Sequence, residues 1–181
     1  MKIRKQTMIA VVVAGVSMLM APAAALAADE STGQLSKGDY KFLKEAIQGG
    51  QTEVELGELA KQKGNNQSVK TFGEKMVTDH SKANDELKSI ASKKGATLPA
   101  ELSHGERSDI EHLQKATGKD FDKDYASRMV KDHKKDVKDF EDAAKDIKDP
   151  ELKAFAEKTL PTLQEHLRMA QEMEASVKGE K

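Results

Sequence analysis

Histidine is scarce in this chain, five among 181 residues, and two of the five close the same short phrase. Met76-Val77-Thr78-Asp79-His80 is answered 53 residues later by Met129-Val130-Lys131-Asp132-His133. A third histidine, His166, also follows an acid, Glu165. Imidazole titrates near neutrality and is the commonest metal ligand, and carboxylates fix its orientation. An acid–imidazole pair used three times therefore points to metal binding or to a buried hydrogen-bonded layer. No Ser-His-Asp order, Gly-rich phosphate loop or HExxH stretch accompanies it. The chain reads as a binding protein rather than an enzyme.

The elements that must hold these residues are helices. The composition is 34% charged and 4% aromatic, too poor in strand-formers for a sheet protein. Apolar residues recur at steps of three and four. The spacing predicts long helices over about 39–63, 68–94, 120–148 and 150–177, with inward stripes. The first stripe is Leu43, Ala46, Gly50, Glu53, Gly57 and Ala60; the second is Val69, Phe72, Met76, His80, Ala83, Leu87 and Ile90. The third is Ala126, Val130, His133, Val137, Phe140, Ala144 and Ile147. The fourth is Leu152, Phe155, Thr159, Leu163, His166, Ala170 and Met173. Gly50 and Gly57 on the first stripe suit close helix approach, with Gly49-Gly50 as the place where a break could fall. Pro161 removes a donor from the last helix and predicts a kink there.

Turn residues at Gly64 and Asp149 make two helical hairpins, and "VKTFGEK" from Val69 resembles "LKAFAEK" from Leu152. The connection between the hairpins carries Ser103 and Glu106, a capping box opening a short helix to about residue 116. Its two dozen residues are enough to cross the length of a bundle. The expected fold is all-α: a four-helix bundle of two hairpins joined by a long crossover with a short helix.

Glu53, His80, His133 and His166 then fall one on each long helix. Counted from the hairpin turns, each lies about 18–25 Å along a helix of about 40 Å, so all four reach mid-bundle. The metal reading takes them as ligands for one transition ion (Zn, Fe, Cu or Mn), with Asp136 as a spare oxygen. Asp79, Asp132 and Glu165 would each orient an imidazole on a neighbouring helix. The alternatives are a metal-free polar layer that sets helix register, in a structural or interaction module, and a mononuclear oxidase or haem-binding bundle. His104 and His112 read as solvated surface, and Met76 and Met129 as core packing.

Compartment and partners follow from the ends of the composition. Lys2, Arg4 and Lys5 precede the uncharged run Met8–Met20, then Pro22 and the small-residue pattern Ala25-x-Ala27. This predicts a signal peptide over 1–27, cleavage after Ala27, a flexible lead over 28–38, the bundle over 39–177 and a tail over 178–181. Export to a bacterial periplasm follows, without stable membrane insertion after cleavage; an uncleaved anchor is the alternative. Thirty bases against thirty-one acids leave no basic stripe for nucleic acid. With no cysteine there is no disulfide, thiolate site or covalent haem motif. Protein partners are unspecified, with a homo-oligomer open.

Four ordered motifs carry a family resemblance: "FLKEAIQGGQTEVELGELA" from Phe42, "VKTFGEKMVTDHSKANDEL" from Val69, "FDKDYASRMVKDH" from Phe121 and "DPELKAFAEKTLPTLQEHL" from Asp149. They resemble the bacterial exported proteins of domain-of-unknown-function family 4142, among the ferritin-like folds. The resemblance implies an up-down-down-up ferritin-like bundle in the periplasm or envelope, and the reading extends to envelope stress tolerance. Ferritin-like di-iron centres use Glu-x-x-His. Here the residues three before His80, His133 and His166 are Val77, Val130 and Leu163. That pattern leaves at most a mononuclear, histidine-rich site.

Overall fold

The structure, a computed structural model, describes residues 32–179. The expected signal peptide, its cleavage point and the last two residues of the tail lie outside the described residues. Among those described there are five helices and no strand. They are α1 (Lys37–Lys63), α2 (Gln67–Lys94), α3 (His104–Lys115), α4 (Gly118–Asp146) and α5 (Pro150–Gly179).

Each start has a local cause. Ser36 Oγ accepts from the Asp39 amide at 3.2 Å, and Asn66 Oδ1 from the Ser68 amide at 2.8 Å. Asp149 Oδ1 accepts from the amides of Glu151 and Leu152. The Ser103–Glu106 capping box opens α3 as expected. Gly95, at φ 66°, closes α2 in the left-handed conformation that a side chain disfavours. α1 continues through Gly49-Gly50 without a break, and α5 stays helical through the exposed Pro161.

α1 packs on α2 and α4 on α5, while α2 touches α5 and α1 touches α4. The ends fix the directions. At one end the Asp122 carboxylate, near the start of α4, accepts from the amides of Asn65 and Asn66 in the α1–α2 turn. At the other, Asp39 near the start of α1 accepts from the Lys148 amide, and Lys94 pairs with Asp149 at 2.7 Å. So α1 and α5 run one way and α2 and α4 the other. The glycines on the first stripe work as close-approach positions. A Cβ on Gly57 would sit 2.8 Å from the Gly73 carbonyl, and one on Gly73 2.7 Å from the Gly57 carbonyl.

The part of the expected flexible lead that is described is tied down instead. Leu35 is buried, and the Gln34 amide donates to the Lys94 carbonyl at 2.9 Å. A single apolar residue at the chain's approach to α1 had a place in the core to fill.

The core is apolar at both ends and polar in the middle. One cluster holds Leu56, Phe72, Met76, Met129 and Ala170; the other holds Ile47, Leu87, Phe140 and Leu163. On every long helix the two clusters are separated by a buried polar residue: Glu53, His80, His133 and His166. A layer of this kind costs desolvation and must be offset by bonding within it.

Candidate metal centre

The four predicted residues meet. His80, His133 and His166 each present a ring nitrogen, and the three atoms lie within 4.8 Å of one another. Their ring centroids are 5.3–5.8 Å apart. Glu53 joins from α1, with Oε2 2.9 Å from His80 Nδ1 and Oε1 3.4 Å from His133 Nε2.

His133 and His166 hold their other nitrogens away from the group, and His80 gives its to Glu53. His133 Nδ1 donates to the Met129 carbonyl at 2.9 Å, which can only accept. His166 Nε2 donates to Asp79 Oδ2 at 2.8 Å, and that carboxylate also holds Lys75 at 2.9 Å. His80 Nδ1 donates to Glu53. Four atoms are then buried without a hydrogen bond: His80 Nε2, His133 Nε2, His166 Nδ1 and Glu53 Oε1. The three imidazoles form a group of the kind that could hold a metal ion, with the unpartnered Glu53 oxygen beside His133. Metal-bound histidines show this pattern, with the second nitrogen held by a carboxylate or backbone carbonyl. Tetrahedral zinc–imidazole geometry sets ligand atoms about 3.4 Å apart, so the side chains would close by about 1 Å on an ion.

The electrostatics agree. Burial alone would raise the Glu53 carboxyl, but the surrounding imidazoles outweigh it and hold it at about 2. Burial pushes His166 down to about 4; the Asp79 hydrogen bond opposes this, and the neighbouring imidazoles add to it. His80 goes the other way: burial lowers it, but the Glu53 charge and hydrogen bond more than compensate. Asp136, like Glu53, is not part of the three-imidazole group. It lines the same small cavity, of about 40 Å³, where burial and the Glu53 charge raise its carboxyl well above the ordinary range.

Two of the three predicted orienting acids are corrected. Asp79 reaches across to His166, but Asp132 is taken by Arg128 on its own helix, and Glu165 by Arg168. In both cases an arginine three or four residues away on the same helix captures the carboxylate before it can cross. The missed partner is the Met129 carbonyl, which residue types do not reveal. Tyr125, whose buried hydroxyl lacks a partner, was also missed; burial and then the Glu53 charge raise it well above its usual value. His104 and His112 are exposed, and Met76 and Met129 are core, as expected.

Residues 24–173 match the family described as "Domain of unknown function (DUF4142)". The chain belongs to that family. No curated protein matches this DUF4142 chain. Solved structures share its fold at low identity. A DUF305 fragment from Deinococcus radiodurans has a TM-score of 0.69 at 12% identity, covering 78% of this chain and 98% of that one. A DUF305 candidate secreted protein from Streptomyces coelicolor has 0.65 at 13%, covering 77% and 93%. CopM in its Cu(II)-bound form has 0.63 at 17%, covering 76% and 96%. No helix among the described residues of the DUF4142 chain is long and apolar enough to cross a membrane.

Proposed function

We propose that this protein binds one transition-metal ion in its core, through His80 Nε2, His133 Nε2, His166 Nδ1 and Glu53 Oε1, and does so as a binding protein rather than an enzyme. The observation that carries the reading is the group of three buried imidazoles whose ligand atoms lie within 4.8 Å of one another, with an unpartnered nitrogen on each and the unpartnered Glu53 Oε1 3.4 Å from His133 Nε2. An uncompensated buried polar atom costs about 1–3 kcal/mol, and here four are gathered where one cation would serve them all. Three nitrogens and one carboxylate oxygen, without sulfur, suit a borderline divalent ion such as Zn(II) or Cu(II). The fold it shares with CopM, a protein seen with Cu(II), keeps copper among the candidates. The cavity of about 40 Å³ has room for an ion with a water, not for a porphyrin. Asp136 is the reserve oxygen ligand.

In this reading the helices form a ferritin-like four-helix bundle, and the basic, apolar, Ala-x-Ala leader sends it to the periplasm, where it serves metal handling under envelope stress. The second reading is a metal-free polar layer. It is favoured by the Glu53–His80 pair, which is satisfied without any ion.

The test is elemental analysis of the purified protein, with melting recorded before and after chelator. Bound ion at a hundredfold excess over Kd adds about 2.7 kcal/mol. About one ion per chain, with a chelator-dependent drop in melting temperature absent from His133→Ala, supports the metal reading. No ion taken up and no shift on adding Zn(II) or Cu(II) leaves the polar layer.

A further inference from the structure

The small central cavity touches two larger ones. On one side, between α2 and α5, lies a cleft of about 150 Å³ that shares Asp79, Ala83, Phe155, Thr159 and Thr162 with it. On the other, between α1 and α4, lies a cleft of about 590 Å³ that shares Glu45, Gly49, Glu53 and Asp136. The two boundaries differ in chemistry. The α2–α5 wall is a phenyl ring, an alanine and two threonines, and its one carboxylate is already held by His166 and Lys75. The α1–α4 wall carries the carboxyl groups of Glu45, Glu53 and Asp136 and a glycine, and the cleft outside it is lined by Lys41, Lys44, Arg128 and Lys135 as well as by Glu106 and Asp132. A Cβ built on Gly49 would meet no atom within 4 Å, so the backbone there borders open space. Glu53, only 3% exposed, lines both cavities, and its Oε1 is unpartnered.

From this we infer that a divalent cation reaches and leaves the imidazole centre through the α1–α4 cleft, passing Glu45, Gly49 and Asp136 to be handed over by Glu53. The inference rests on the metal reading above and adds a route to it. Carboxyl groups along the path replace hydration of the ion step by step, while the α2–α5 wall offers two threonine hydroxyls and a carboxylate already engaged by His166 and Lys75.

The experiment loads the full chain with Co(II), followed by visible absorbance in a stopped-flow instrument, and then removes it with chelator. Gly49→Leu places bulk in the passage without altering a ligand. It slows loading and release by the same factor, about tenfold for each 1.4 kcal/mol of added barrier. Glu45→Lys slows loading by about tenfold or more, an effect that shrinks at high salt. Thr162→Leu, at the opposite mouth, leaves both rates unchanged. Unchanged rates in Gly49→Leu and Glu45→Lys overturn the route, as does slowing by Thr162→Leu alone. A Gly49→Leu effect on loading without a matching one on release also overturns it, because affinity has then changed. A wild-type chain that takes up no Co(II), Zn(II) or Cu(II) fails at the earlier step, and that result is distinct from all of these.

Discussion

The two Met-Val-x-Asp-His stretches share four of five residues and end in different company. In both, the methionine packs in the core and the histidine enters the central layer. Around α2, Asp79 stands free of any arginine and reaches His166 on α5, tying one hairpin to the other. Around α4, Asp132 is taken by Arg128, which also pairs with Asp109 on α3. One acid serves the centre, and the other fastens the crossover to the bundle. The residue one turn earlier makes the difference: Lys75 can share Asp79, while the forked guanidinium of Arg128 claims Asp132. Seven residues before each histidine the stretches differ again. Gly73 lets α2 approach α1, where α4 carries Ala126.

The hardest blow to the shared part of the comparison is His133→Ala. His133 is fully buried, so truncation removes a ligand and opens a void. The expected cost is about 2–5 kcal/mol in denaturant unfolding, with ion binding weakened by a hundredfold or more. Normal stability together with normal ion content would disprove the central layer as described.

Acid should act on the same layer with a definite sign. His166, held at about 4 in the fold against 6.5 ordinarily, is protonated first in the unfolded chain. Its share of stability, about 3 kcal/mol at most, is therefore lost as pH falls from 6.5 to 4. Glu53, held at about 2, adds a loss below its ordinary 4.5. His80 and Asp136 are both raised and work in the opposite sense, each losing stability as pH rises through its folded value. Melting in chelator across pH 3–8, with the His166 ring followed by NMR, checks this. A His166 midpoint near 6.5 would show that the ring is not held neutral by burial.

Gly73→Ala tests the difference seven residues upstream. The added methyl must displace α1, because its nearest neighbours include the Gly57 carbonyl at 2.7 Å. The expected loss is about 1–3 kcal/mol, measured by chemical denaturation. Ala126→Gly on α4 should cost about 1 kcal/mol in helix propensity and about 1 kcal/mol more for its buried methyl, without moving a helix. No loss in Gly73→Ala would mean that the close approach of α1 and α2 carries no special weight.

What could be seen in the sequence was whatever depends on period and spacing. The five helices begin and end within about two residues of the expected positions, because caps at Ser103 and Asp149 and stops at Gly64 and Gly95 are local signals. The shared depth of Glu53, His80, His133 and His166 follows from counting residues along helices of equal rise. Rotation about each axis was less visible: Asn84 and Ala143 are buried where the stripes named Ala83 and Ala144. Partner choice was read for one acid of three. Asp79 and Asp132 share the same phrase, and the weight of Lys75 against Arg128 one turn earlier was not read from it.

That choice is open to a paired substitution. Asp79→Asn keeps the shape but loses the charge that orients His166 and raises it against the pull of burial. Ion affinity should fall by about 10–100-fold, the usual effect of losing a ligand's orienting partner, with the fold intact. Asp132→Asn should leave affinity within about twofold, because Asp132 touches no imidazole. It removes one of two carboxylates on Arg128 and loosens the hold on α3 by about 1 kcal/mol or less. Titration calorimetry with Zn(II) and proteolysis of the crossover report the two effects separately. If Asp132→Asn weakens ion binding as much as Asp79→Asn does, the two acids are equivalent after all, and the arginine on α4 does not divide their roles.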